Sequence, residues 1–503
     1  MTAGRKLRFA LAGGMLLLAG ILLLLAEPYR AKTVIASAGG CGMRVDVVEP
    51  VSGEPQGYVV LLHGLSANKR IMWYLAEGFA GENLRVFVPD LPGHGRTPGP
   101  FTPQRAESCA ESLVHELIDR TAIVPQRTFL AGHSMGGAIA LRVASRIPLA
   151  GVIAVSPAPT RPGHGASPEM LLFHNSTSLP PHSLILSGAW EPASMRDSAA
   201  DLLQSQPDAT SAYRLIPAAT HVSLIFDSRA LRESQQWIAQ HLGLRSEALL
   251  PSHASLYGVV LGMAGLCVLV VPFLAEITDL PEELPALAPP NPAGIWNPLI
   301  LVAIVSLLSV GVLRLGVPLR FLKIFQGDYL ASFLLIVGIV LLLWNWRKIH
   351  SVLSVAWKPI VAASVAAIAL LLLFTGWLDL TFYEAWLTLL RWLRFPAVFL
   401  AVLPWHLAVE LLSGPPGALP RWQRFLRPLA LWVIAWLVMT AGLFYFRSGE
   451  VLLVLLAAYF AIFLVLQRLA VYFVYRRTRS LPAAAVFGAI LFAGLALAIF
   501  PVA

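Results

Sequence analysis

After residue 255 the sequence is dominated by apolar runs, at 256–275, 298–315, 330–346, 359–377, 396–412, 428–446, 451–467 and 482–501. Each approaches the roughly 20 residues an α-helix needs to cross the hydrocarbon of a bilayer. Lipid offers the backbone no hydrogen-bond partner, so segments of this kind must be helical. Residues 251–503 are therefore expected to form an all-α, multi-span transmembrane domain of about eight helices. The run 396–412 is the least regular, because it holds Pro404, His406 and Glu410. His406 and Glu410 are four residues apart and share a helix face. Ionisable residues at membrane depth are functional candidates, and the alternative is that Glu410 reaches the interface at the inner end of its span. The stretch 378–395, LDLTFYEAWLTLLRWLRF, is aromatic and amphipathic. It is expected to lie on the membrane surface, where it could face the hydrolase domain, or else to extend a spanning helix.

Charge is distributed to match. Only 13% of the 503 residues are charged, against about 25% in soluble chains. Residues 30–250 carry 18 basic and 18 acidic side chains, so the net charge of +9 belongs to the remainder. It is loop charge of the kind that orients helices, not a nucleic-acid patch. With residue 1 inside and 30–250 outside, the inner segments hold 13 Lys and Arg and the short outer loops hold 6. The acidic loop 276–297, placed inside, has no basic residue and is the dissenter. Residues 1–29, with Arg5, Lys6 and Arg8 before the apolar run Phe9–Ala26, read as a membrane anchor or a signal peptide. The Ala36-Ser37-Ala38 pattern lies too far beyond that run for good cleavage, which favours the anchor. Cys267 sits in an apolar run, so Cys41 and Cys109 leave at most one pair elsewhere, and no disulfide framework or metal spacing is implied.

Residues 30–250 have a different texture. The runs 57–64, 84–90, 127–134, 151–157, 183–188 and 211–217 read as short strands, with helical patterns between most of them. They are apolar throughout, without alternation, as strands of a parallel sheet covered on both faces are. The expected architecture is a doubly wound, mostly parallel α/β sheet.

Within this sheet, Gly132-His133-Ser134-Met135-Gly136 stands between a strand and a helix. A sharp strand-to-helix turn crowds its neighbours, so small residues flank the serine, and the turn lifts its hydroxyl to the sheet edge. Ser134 is the candidate nucleophile. The Met135 amide, opening the helix, and the Leu65 amide, in the loop after the strand ending at His63-Gly64, are candidate oxyanion donors. His221 lies on a loop after the last strand and is the candidate general base. Glu191 in SGAWEP is the candidate acid, with Asp197 the competitor, although Asp197 falls where the next helix begins. No acid follows the strand GVIAVSP directly. His63 and His94 precede the serine and are better suited to supporting loops.

Taken in order, HGLSANK, PDLPGHGRT, GHSMGG, SGAWEP and ATHVSL resemble the α/β-hydrolase family, in its lysophospholipase, monoacylglycerol-lipase and serine-aminopeptidase-like branch. The resemblance covers residues about 45–243. It implies a Ser134–Glu191–His221 triad, an oxyanion hole from Leu65 and Met135, and an acyl-enzyme formed without a cofactor. Glutamate stands where aspartate is commoner. Residues 158–182 are too short for a large cap, though Met170, Leu171, Leu172 and Phe173 are candidates to line an acyl pocket or to pack on the core.

The expected activity is that of a membrane-anchored serine hydrolase acting on carboxylic esters of lipid-like or membrane-associated substrates. Its partners are then the bilayer and a hydrophobic ester, with no nucleic acid. A bacterial inner membrane with the hydrolase on the periplasmic side is the matching location. Two alternatives remain open: a transporter or scaffold with a hydrolase-like regulatory module, and an acyltransferase using the same triad.

Overall fold

A computed structural model describes residues 2–26, 30–50, 53–158, 179–204, 210–247, 250–278, 296–316, 320–347, 349, 357–413, 421–446 and 451–503. The chain divides into two compact units. One comprises Leu25–Ser255 together with Phe382–Glu384 and Pro501–Ala503; the other comprises Met1–Leu24, Leu256–Thr381 and Ala385–Phe500.

The first unit is built on an eight-stranded sheet. Its strands are β1 (Lys32–Ala36), β2 (Met43–Val48), β3 (Gly57–Leu62), β4 (Leu84–Pro89), β5 (Thr128–His133), β6 (Gly151–Val155), β7 (Ser183–Gly188) and β8 (Ala212–Ile216). The spatial order is β1-β2-β4-β3-β5-β6-β7-β8. From β4 to β8 all neighbours are parallel, and β5, β6 and β7 are buried at every residue. That double coverage is why these strands show no alternation. The chain moves from β3 to one side for β4 and to the other for β5, so a topological switch point lies between β3 and β5. In such sheets the crevice at the carboxyl ends of the strands is where ligands bind.

The antiparallel pair β1 and β2 is an addition to the six expected strands. β1 is mostly exposed and β2 buries Met43 and Val45 while exposing Arg44. A short edge strand and a short alternating one give little signal. Cys41, in the connection between them, is disulfide-bonded to Cys109 of helix Pro103–Asp119. Val502 adds a further bridge: Phe101 N donates to its carbonyl at 2.6 Å, and its own amide donates to Gly93 O at 3.1 Å.

In the second unit, each predicted apolar run falls on helix. The helices are Ala254–Ile277, Trp296–Arg314, Gly327–Trp344, Trp357–Thr381, Leu389–Ser413, Arg421–Tyr445, Val451–Leu455, Ala457–Thr478 and Leu481–Ile499, together with Ala3–Ala26. Among the described residues nine helices are long and apolar enough to cross a membrane. Helix Ala3–Ala26 packs closely on Ala254–Ile277: a Cβ on Gly20 would lie 2.6 Å from both Gly258 O and Gly262 N. Small residues permit such backbone approach between apolar helices.

Four expectations are resolved, corrected or fall outside the described residues. Residues 378–395 fit the alternative in part: they extend Trp357–Thr381, form a connection, and begin the first turns of Leu389–Ser413. Glu410 does not reach out to an interface. It is buried in a charge pair with Arg468, because helix Ala457–Thr478 continues beyond the predicted run and carries Arg468 to it. Most of the 158–182 segment, with Met170, Leu171, Leu172 and Phe173, and most of the loop 276–297 lie outside the described residues.

Candidate active site

Ser134 follows the last residue of β5 with φ 55° and ψ −117°. A non-glycine residue there is strained by about 1–3 kcal/mol and persists only where its surroundings impose it. They do: Ser134 N donates to Val155 O and Ala158 N donates to Ser134 O, both at 2.9 Å. The two glycines of the motif are steric requirements. A side chain on Gly136 would run into the carbonyls of Leu62 and His63, and one on Gly132 into the backbone of Gly136. Ser134 is left 8% exposed at the carboxyl edge of the sheet.

His221 Nε2 lies 3.0 Å from Ser134 Oγ. Its loop, between β8 and the turn Ser223–Phe226, is cross-tied: Thr220 N donates to Ser223 Oγ at 2.8 Å and Ser223 N to Thr220 Oγ1 at 3.2 Å. His133, the residue before the serine, holds the loop, with Nε2 2.8 Å from the His221 carbonyl. A carbonyl only accepts, so His133 Nε2 carries the proton. Burial pushes its pKa down to about 4 and that of His221 well below 6.5, so both rings are neutral at physiological pH.

The other nitrogen of His221 meets an unexpected partner. Nδ1 lies 2.6 Å from Ser156 Oγ, where the sequence pointed to Glu191. Glu191 is buried nearby, but its Oε1 accepts the Gly188 amide at 3.0 Å across its own short turn, and Oε2 has no hydrogen-bond partner. Burial raises the Glu191 pKa, while Ser156 and the Gly188 amide oppose the rise. Ser156 thus stands between imidazole and carboxylate. Like Ser134 it has a positive φ, 46°, and its amide donates to Leu186 O at 2.7 Å. Asp197 is exposed on helix Ala193–Gln204, apart from these groups. The sequence signal for Ser156 was weak: a serine directly after a core strand, where an acid was sought and not found.

The two candidate oxyanion donors are backbone amides on either side of this turn's packing. Met135 opens helix Met135–Ala144, and Leu65 follows Gly64, whose Cβ position is 3.2 Å from Ser134 Cβ. Among the described residues neither amide has a hydrogen-bond acceptor within the protein. His63 and His94 serve the loops. His63 Nε2 accepts from Leu91 N at 3.0 Å and its Nδ1 is 2.8 Å from Gly64 O; His94 Nε2 accepts from Ser66 N at 3.3 Å. Burial lowers the His63 pKa to about 4, which keeps that ring neutral and its tautomer fixed.

Residues 59–272 match the Alpha/beta hydrolase family. Lipase 3 of Moraxella sp. (strain TA144) is 33% identical over 98 residues, 20% of this chain and 29% of that one. The monoacylglycerol lipase of Mycolicibacterium smegmatis is 26% identical over 200 residues, 39% of this chain and 67% of its own. The chain thus spans under a third of the length of the first relative. Among solved structures, an α/β serine hydrolase homologue from Coxiella burnetii covers 42% of this chain and 97% of itself, with a TM-score of 0.34 and 16% identity.

Proposed function

We propose that the α/β-hydrolase domain of this chain is a serine esterase of the lipase type, acting on hydrophobic or lipid-like carboxylic esters beside a bilayer that its apolar helices span. The observation that carries the reading is the 3.0 Å approach of His221 Nε2 to Ser134 Oγ on a strained elbow. Ser134 Oγ attacks the ester carbonyl carbon as its proton passes to His221 Nε2. The oxyanion forms against the Leu65 and Met135 amides. The imidazolium donates from Nδ1 to Ser156 Oγ, whose own proton turns toward Glu191. The intermediate collapses, the alcohol leaves with the proton from Nε2, and water repeats the sequence on the acyl-enzyme. Glu191 is in this reading the acid of a Ser134–His221–Glu191 triad that acts through an interposed hydroxyl. No cofactor enters.

The lipid-like substrate is supported by the relatives' names and by the apolar helices. A bacterial inner membrane with the domain on the periplasmic side is supported by the loop charge, 13 inside against 6 outside. The Cys41–Cys109 disulfide suits an oxidising compartment. The packing of helix Ala3–Ala26 favours a retained anchor.

The test is labelling of purified membranes with a fluorophosphonate probe. Wild type is expected to label, and Ser134→Ala to abolish the label. A folded wild type that stays unlabelled would sink the esterase reading. Cellular function that survives Ser134→Ala would instead favour a carrier or scaffold with an idle module.

A further inference from the structure

Three residues of the hydrolase unit come from far along the chain: Phe382, Tyr383 and Glu384. Each touches a different part of the candidate site's surround. The Phe382 ring stacks on Phe226, with centroids 5.7 Å apart, and Phe226 ends the turn that follows His221. Tyr383 Oη donates to the carbonyl of Ser66 at 2.8 Å, one residue beyond Leu65. Glu384, 5% exposed, pairs with Lys69 Nζ at the far end of the same loop, and Arg96 Nε lies 3.9 Å from it. Lys69 in turn holds Asp90, through Nζ at 3.0 Å and its amide at 2.8 Å. One tripeptide therefore reaches both the loop that carries the base and the loop that carries an oxyanion amide.

We propose that Phe382–Tyr383–Glu384 is a positioning strap that fixes the His221 loop and the Leu65 loop relative to each other. The inference rests on the esterase reading above. Two buried carboxylates sharing one lysine are a poor device for stability alone, since desolvation offsets most of the attraction. Burial and the neighbouring Asp90 push the Glu384 pKa up to about 7. Burial also opposes the Lys69 charge, yet Asp90 and Glu384 together hold its pKa above the ordinary value. A hydrophobic trio would fill the same space. The charged arrangement adds direction: it holds Lys69, and with it the segment from Gly64, at one distance from Asp90, while Tyr383 and Phe382 set the other two points.

The experiment compares inactivation by a fluorophosphonate in the full chain, separating the maximal rate from the half-saturating concentration. Tyr383→Phe deletes one hydroxyl and keeps the ring. It is expected to slow maximal inactivation about tenfold, as small misplacements of catalytic groups do, with the half-saturating concentration within about twofold. Glu384→Gln is expected to do the same, and Glu384→Asp to recover part of the rate. If both variants react at the wild-type rate, the strap is overturned. It is equally overturned if only the fraction of labelled protein falls while the rate of that fraction is unchanged, because that is the mark of a merely structural contact. Absence of labelling in wild type would take down the esterase reading and the strap with it, an outcome distinct from either.

Discussion

Ser134, His221 and Ser156 at the edge of the sheet, and His406, Glu410 and Arg468 among the apolar helices, are all more than nine-tenths buried. The two groups are nonetheless held differently. Among the helices the charges close on each other: Arg468 meets Glu410, and the neighbouring Gln467 Nε2 donates to Gly488 O at 2.6 Å. At the sheet edge the groups form a series with a direction, from Ser156 through His221 to a hydroxyl on a strained turn, with Glu191 buried close by. Two backbone amides beside that hydroxyl have no acceptor among the described residues. Buried ionisable groups alone do not mark chemistry. What sets the sheet edge apart is a serine on a strained turn within hydrogen-bond reach of an imidazole.

The comparison is broken most directly at His221. His221→Ala is expected to slow fluorophosphonate labelling of Ser134 by about 10⁴-fold or more; a loss under tenfold would mean that the serine is not activated by this ring. The helical pair predicts a loss of stability instead. Arg468→Leu leaves Glu410 buried alone, at a cost of about 3–5 kcal/mol, seen as a lower Tm in detergent, and Glu410→Leu added to it should restore most of that. Labelling by the folded fraction should not change, and a slower rate there would erase the distinction. Within the site, Ser156→Ala strips Nδ1 of its partner and is expected to slow labelling by about 10–100-fold, the cost of a buried unsatisfied group. Glu191→Gln should cost less, because its influence arrives through the hydroxyl. The reverse order would show the carboxylate acting directly on the imidazole.

The smallest effect is on pH. His221 is the base only when neutral, and burial lowers its pKa well below 6.5. Lowering favours the neutral form, so the labelling rate should stay flat from pH 8 down through 6.5 and fall only below it. Half-maximal rate at or above 6.5 would contradict the buried, neutral ring.

The parallel core was legible because burial on both faces writes itself as continuous apolar runs, and the elbow because its glycines answer a steric demand. The pair β1 and β2 was not, since an edge strand such as Lys32–Ala36 buries only Ala36. His221, picked for its order after the serine, lies 3.0 Å from Ser134 Oγ. Glu191 was found in the right neighbourhood, but no sequence rule says that its carboxylate turns to Gly188 and yields the imidazole to Ser156. For Phe382–Glu384 the sequence offers only that 378–395 could face the α/β domain; the particular contacts are not legible, because Ser66, Lys69 and Phe226 are more than 150 residues away in sequence.

Val502 gives that last point a dimension in time. Its two hydrogen bonds, to Gly93 and Phe101, tie down the loop after β4 from about 400 residues downstream. At roughly 5–20 residues per second of synthesis, that loop waits on the order of 20–80 seconds between its own emergence and the arrival of its partner. Throughout that interval the sheet can form while its rim is still open. A ribosome that stalls within the helices would therefore leave the sheet and the Ser134 turn built while the loop after β4 still lacks its partner, so that completion of this unit is scheduled by translation of the rest of the chain.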